Sequence, residues 1–212
     1  SAIGADVNGT SLYAQSKGEG EAAVLAAFPT AMILRPSVIF GTEDGFFNRF
    51  AGMARMGPIL PVVGGATKFQ PVYVDDVAAA AVQGVTGKAH GIYELGGPDV
   101  DSFKGLMARM LGVIRRRRLV LNIPFFVARI MATGLDFASA CTLGLIPNKM
   151  LTRDQVTSLK SDNVVQPGAK TLADLGIAAT GFDSVLPEYL WRYRPSGQYA
   201  AIKESAKNLK KV

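Results

Sequence analysis

Cysteine and histidine are almost absent from this 212-residue chain, with Cys141 and His90 the only examples of each. A lone cysteine excludes a disulfide framework within the chain and suits a reducing compartment. One His and one Cys cannot assemble a zinc site of the Cys/His type, and a Ser-His-Asp triad has only His90 to draw on. That histidine lies in the turn-like stretch Gly87-Lys-Ala-His-Gly91 and reads as a solvent-facing loop residue. No metal is expected. Apolar runs of the ~20 clean residues that a spanning helix needs are missing as well. Acid is in deficit, with 17 Asp and Glu against 23 Lys and Arg, a net charge of +6. The excess is local. Residues 115–118 are four successive arginines, and residues 200–212 hold four lysines and one glutamate, which leaves the rest of the chain close to neutral. No aromatic residues interleave with the arginine run as they do in a base-stacking platform, so nucleic acid is not an expected partner.

What is present is core material and one pair of reactive side chains. An apolar fraction of 49% suffices for one compact unit, or for a domain remnant with a small subdomain. Tyr13 and Lys17 stand four apart in Leu-Tyr-Ala-Gln-Ser-Lys-Gly-Glu, where a helix places them on one face. An ammonium beside a phenol favours tyrosinate, which is the chemistry needed to exchange a proton with a carbonyl or alcohol while hydride moves. On its own the spacing also fits an exposed pair on an ordinary helix.

The neighbours of the pair predict a crossover unit. Ser1-Ala-Ile-Gly-Ala5 reads as a strand end running into a loop, and Ser11 caps a helix that continues to Phe28-Pro29. Ala31-Met-Ile-Leu-Arg-Pro36 follows as a short strand. This order is that of a parallel α/β sheet. Four segments then occur in sequence: Tyr13-Ala-Gln-Ser-Lys17, Leu34-Arg-Pro-Ser-Val-Ile-Phe-Gly41, Pro71-Val-Tyr-Val-Asp-Asp-Val-Ala78 and Ile92-Tyr-Glu-Leu-Gly-Gly97. Together they resemble the C-terminal two thirds of an extended or atypical short-chain dehydrogenase/reductase of the NAD-dependent epimerase/dehydratase type. Phe46-Phe-Asn-Arg-Phe-Ala51, Phe69-Gln-Pro-Val-Tyr-Val74 and Leu159-Lys-Ser-Asp-Asn-Val-Val165 narrow the likeness to the complex I 39-kDa subunit family and its bacterial relatives.

The resemblance implies the C-terminal part of a Rossmann-like doubly wound parallel sheet over residues 1–100. A small, mainly helical substrate or partner subdomain over residues 101–195 and a basic tail over 196–212 would complete the chain. It implies NADP(H) or NAD(H) as cofactor. Tyr13 would be the acid/base, with Lys17 activating it and bonding the ribose hydroxyls, and Ser1 is the candidate substrate hydroxyl. The backbone of Pro36, Ser37 and Val38 would lie along the nicotinamide. A Gly-rich phosphate turn between a first strand and helix is not found: neither Gly64-Gly65 nor Gly96-Gly97-Pro98 has the right spacing or setting. The half that carries it is therefore expected to lie outside this chain, and cofactor binding by these residues alone to be weak. Phe69 stands where relatives acting on nucleotide sugars carry a diphosphate-binding arginine. An apolar carbonyl, quinone or isoprenoid substrate thus fits better, with Phe46, Phe47 and Phe69 as apolar lining or as core.

Two further stretches bear on partners. Asp75-Asp76 most simply caps a helix. From Leu119 to Pro147 the only charges are Arg129 and Asp136. If Phe125 to Cys141 is helical, Arg129, Thr133, Asp136 and Ala140 form a narrow polar stripe amid apolar residues. Preceded by the arginine run, residues 115–147 fit either an interfacial membrane helix or one packed in the subdomain or on a partner. Thr152-Arg-Asp-Gln-Val-Thr-Ser-Leu-Lys160 reads as a capped helix, and Trp191 as an anchor of the C-terminal packing. Three functional readings follow: an NAD(P)(H)-binding accessory or assembly subunit like that of respiratory complex I; an active NAD(P)-dependent reductase, dehydrogenase or epimerase using Tyr13 and Lys17; and a non-catalytic peripheral membrane scaffold. The expected location is the cytoplasm of a bacterium or the mitochondrial matrix side, peripheral to the inner membrane.

Overall fold

The computed structural model describes residues 1–141 and 151–199. Along the chain run α1 (Leu12–Ala27), β1 (Met32–Pro36), β2 (Ile39–Phe40), α2 (Phe47–Met56), β3 (Ile59–Val63), β4 (Lys68–Phe69), β5 (Val72–Tyr73) and α3 (Val74–Val85). They are followed by β6 (Gly91–Leu95), β7 (Asp101–Ser102), α4 (Phe103–Val113), β8 (Leu119–Ile123), α5 (Phe125–Cys141), α6 (Arg153–Ser158) and α7 (Phe182–Leu190). Three strand pairs are parallel: β1 with β6 from Met32↔Gly91 to Pro36↔Leu95, β2 with β5, and β3 with β8. Among the described residues only β4 and β7 pair antiparallel. Parallel pairs need long crossovers, and helices supply most of them, which makes this the α/β architecture the segment order predicts.

The largest core is aromatic. Phe40 and Phe47 are fully buried, and Phe40 meets Phe47 and Phe182 edge-on with ring centroids 6.4 Å apart in each case. Phe46 packs on Phe69 and Phe103, at 6.0 and 5.5 Å. Edge-to-face rings at these separations add to the roughly 1.5–3 kcal/mol that burying each large side chain contributes. Leu106, Met107 and Met110 of α4 and Leu186 and Leu190 of α7 complete the cluster, so residues on both sides of position 100 share it. Phe46, Phe47 and Phe69 are thus core, not the lining of a ligand site. Trp191 is 38% exposed, and the C-terminal packing is carried instead by the buried Leu186, Tyr189 and Leu190 beside it.

Helix ends follow their local signals. Ser11 accepts from Ala14 N at 3.1 Å and starts α1. Thr152 and Gln155 form a capping box at the start of α6. Asp75 and Asp76 lie inside the first turn of α3, with Tyr73 at the cap position. Carboxylates there still complement the helix dipole, but Asp76 is turned inward, accepting from Thr180 N at 2.7 Å and Thr180 Oγ1 at 3.0 Å.

The arginine run is not a uniform charged patch. The chain turns at Arg115, whose φ is 52°, and the next residues alternate between half-buried and exposed. Arg116 donates to the Tyr193 carbonyl at 2.8 Å and Arg118 to the Ala54 carbonyl at 2.7 Å. Two of the four guanidiniums therefore hold backbone together.

α5 spans the range its pattern predicts, but it packs by its small side. Ala128 and Ala132 are fully buried with Val63 and Val156, while Phe126 and Ile130 are each 69% exposed and Phe137 is 71% exposed. No helix among the described residues is long and apolar enough to cross a membrane. Residues 142–147 of the stretch singled out for membrane or partner contact, and 200–212 of the basic tail, fall outside the described residues.

Candidate functional site

The site is built around the first turns of α1. Tyr13 is 50% exposed, and the Lys17 ammonium lies 5.5 Å from the centre of its ring. The four-residue spacing does place the two on one face. Among the described residues Lys17 makes no ion pair, so its remaining donors are available to a ligand.

One turn further along that face is Glu21, only 8% exposed. It takes a bidentate pair from Arg35 of β1, Nε to Oε1 at 2.8 Å and Nη2 to Oε2 at 2.6 Å. The Ser1 hydroxyl donates to the same carboxylate. Burial opposes the negative charge on Glu21, but the bonds from Arg35 and Ser1 outweigh it and hold the carboxyl below its ordinary value. Arg35 also approaches Glu94 of β6 at 3.5 Å. The network pins α1 to the carboxyl ends of the parallel strands, where open α/β sheets bind ligands. It also fixes where Ser1 points: its hydroxyl is engaged by Glu21, one helical turn beyond Lys17.

At the end of β1, the Pro36 carbonyl accepts from Ile3 N at 3.1 Å and Ser37 N donates to the Leu95 carbonyl at 2.9 Å. The Ser37 side chain is buried, donating to Asn163 Oδ1 at 2.6 Å. Val38 packs partly buried against the main core. The Pro36 and Val38 carbonyls and the Ser37 N–H are thus all engaged within the fold, Val38 accepting from Val72 N at 3.0 Å. Asn163 also donates its N–H to the Lys68 carbonyl at 2.8 Å and accepts from Gln70 N at 3.1 Å, locking the 159–165 segment against β4. Spacing alone gives no hint of that role, although this segment is among those carrying the family resemblance.

A second contribution that local pattern cannot reveal comes from α6. The Asp154 carboxylate accepts from Leu12 N at 2.6 Å and Tyr13 N at 3.1 Å, 142 and 141 positions away. With Ser11 on Ala14 N, three of the four orphan amides at the α1 start are satisfied. α6 thereby fixes the backbone that carries the phenol. Beside this junction opens a pocket of about 840 Å³ between α1, α5 and α6, with Leu12, Phe125 and Phe126 on its wall. Among the described residues no group of three or more His, Cys, Asp or Glu is placed to hold a metal ion.

The model of the RmlD substrate binding domain matches residues 4–111, which take in α1, the strands at its foot and most of α4. The chain belongs to that family. It is 37% identical over 202 residues to the mitochondrial NADH dehydrogenase [ubiquinone] 1 alpha subcomplex subunit 9 of Arabidopsis thaliana, covering 93% of this chain and 50% of the relative. Family membership and this homology bear out the short-chain dehydrogenase/reductase and complex I 39-kDa resemblances. The chain spans about half the length of the curated relatives it matches. Among solved structures, a dTDP-glucose 4,6-dehydratase from Bacillus anthracis in complex with NAD superposes with a TM-score of 0.60 at 14% identity, over 90% of this chain and 54% of that one. A dTDP-4-dehydrorhamnose reductase from the same organism in complex with NADP gives 0.54 at 14% identity, over 84% and 53%. At these identities the likeness is one of fold, and it bears out the Rossmann-like α/β class.

Proposed function

We propose that this chain is the C-terminal part of an NAD(P)(H)-binding protein of the short-chain dehydrogenase/reductase superfamily, serving as an accessory or assembly subunit like those of respiratory complex I. One observation carries the reading: Tyr13 and Lys17, which makes no ion pair among the described residues, are presented together on the face of α1 that Glu21 and Arg35 tie to the end of β1. Residues 1–100 would contribute to the dinucleotide domain and residues 101–195 to the smaller helical part. Lys17 would bond the ribose hydroxyls, and Tyr13 with the backbone of Pro36, Ser37 and Val38 would border the nicotinamide. Two features of this chain support the fit: an ammonium with no ion pair among the described residues, and a half-exposed phenol on the same helical face. NAD or NADP, both seen in structural neighbours, would supply or accept hydride there. Complex I subunits are the proposed partners, at the matrix face of the inner membrane or, in a bacterium, in the cytoplasm.

A dinucleotide that binds only the native state stabilises it by mass action, so it can serve structure without turnover. The test is an NADPH fluorescence titration of the whole protein. Lys17→Ala should weaken binding by about tenfold, the loss of one charge-assisted contact. Tyr13→Phe should leave binding intact. Absence of dinucleotide binding would overturn the reading.

An active reductase on an apolar carbonyl or quinone-like substrate is the second reading, favoured by the pocket that Leu12 lines at the start of α1. It requires NADPH consumption that Tyr13→Phe abolishes, with Ser1 as the substrate hydroxyl once released from Glu21. A membrane scaffold is the third, favoured by the outward Phe126, Ile130 and Phe137 of α5. Co-sedimentation with anionic liposomes, lost on Phe126→Ser with Ile130→Ser, would support it.

A further inference from the structure

The pocket beside α1 has a composition that selects its ligand. Its volume of about 840 Å³ lies within the ~300–1,000 Å³ usual for small-molecule sites. Leu12, Phe125, Phe126 and Val156 give it an apolar wall; five charged side chains line the rest with Thr152 and Thr157, whose hydroxyls already bond Gln155 N and the Arg153 carbonyl. Three of the five are committed. Asp154 caps α1. Asp136 accepts from Arg153 Nε at 3.4 Å and from its backbone N–H at 3.2 Å. The two left over are both cations, Arg129 and Lys160. Neither forms a salt bridge among the described residues, and the Lys160 ammonium rests 6.0 Å from the Phe125 ring centre.

The wall continues outward. A shallower groove of about 390 Å³, lined by Phe126, Arg129, Ile130 and Thr133, shares Phe126 and Arg129 with the pocket. This is the side of α5 left uncovered because the helix packs by Ala128 and Ala132. A polar ligand such as a sugar would find few hydrogen-bond partners on phenyl and leucyl surface. A purely apolar one would strip water from two unpaired cations without replacing it. Only a molecule with both characters satisfies the site.

We propose that this pocket binds an amphiphile with one anionic group, its acid at Arg129 and Lys160 and its hydrocarbon against Leu12, Phe125 and Phe126, extending along α5 past Ile130. That this ligand lies next to a nicotinamide rests on the function proposed above. The binding chemistry rests on the pocket alone.

The test is calorimetric titration of the whole protein with decyl phosphate below its micellar concentration, alongside decanol and inorganic phosphate. Decyl phosphate should bind at least tenfold more tightly than either fragment. Arg129→Ser and Lys160→Ser should each weaken it by about tenfold with the far-UV circular dichroism unchanged, and Arg129→Lys should recover part of the loss. Phe126→Ser should weaken decyl phosphate as well. Equal affinity for decanol, equal affinity for inorganic phosphate, or indifference to both charge substitutions would overturn the proposal. So would binding to phosphatidylglycerol vesicles without binding of the monomeric probe, which would assign the face to a membrane surface. NADPH titrations on the same samples separate the two readings. Loss of NADPH binding with decyl phosphate retained sinks the dinucleotide function alone, and the converse sinks only the amphiphile site.

Discussion

Replacing Glu21 by Gln removes one charge from the junction between α1 and the sheet while keeping its shape. The carboxylate accepts two guanidinium bonds, at 2.6 and 2.8 Å, and its side chain is 8% exposed against 21% for Arg35. Hydrogen bonds to charged groups are worth roughly 1.5–3 kcal/mol each, but partners that water reaches deliver less than the sum. Glu94 at 3.5 Å also keeps Arg35 partly paired. The expected loss for Glu21→Gln is therefore about 2 kcal/mol, a fall in Tm of roughly 4–8 °C for a chain of this size. Arg35→Met should cost more, about 3–5 kcal/mol, because it leaves buried Glu21 and Glu94 without their common cation. A double-mutant cycle by urea unfolding should give a coupling of about 1.5 kcal/mol. The pH dependence has a fixed sign. Glu21 has a folded pKa below its ordinary 4.5, so its contribution is complete above that value and is lost as pH falls through the folded one. The gap between wild type and Glu21→Gln should be widest near neutrality and close below pH 4.5. A coupling under about 0.5 kcal/mol, or a gap that widens in acid, would refute the claim that this pair pins α1.

Asp154→Ala withdraws the carboxylate from Leu12 N and Tyr13 N, and should cost about 1–2 kcal/mol, as losing a helix cap does. Amide exchange should quicken at Leu12 and Tyr13 before it does at Ala22. Two glycines of α1 should respond with opposite signs to alanine. A Cβ at Gly18 would meet Val7 N at 2.4 Å and the Asp6 carbonyl carbon at 2.6 Å, so Gly18→Ala should lower Tm. Gly20 has nothing within 4 Å, and Gly20→Ala should stabilise by about 0.5–1 kcal/mol from helix propensity. Leu106→Ala, at a fully buried core position, should cost about 2–5 kcal/mol, measured by urea unfolding.

Much of the local architecture is legible in the sequence, because its causes are local. Ser11 as a cap starts α1, Thr152 with Gln155 starts α6, and the spacing from Phe125 to Cys141 marks α5. The Tyr13–Lys17 spacing puts phenol and ammonium on one face because helix geometry requires it. Family membership is legible too, from four short segments in order. What tertiary structure alone decides is the company these residues keep. Phe46, Phe47, Phe50 and Phe69 are apolar side chains like Phe125 and Phe126, and only the fold determines that the first four fill the core while the last two line the pocket. Four arginines read as one charged patch until packing turns two of them onto backbone carbonyls. Asp154 on Tyr13 N and Asn163 on Ser37 join residues more than a hundred positions apart. A carboxylate or amide that finds its partner across the fold leaves no periodicity for sequence to show. The sequence by itself determined the helix, the strand and the reactive pair between them; the tertiary structure decided what holds that pair in place and what can lie beside it.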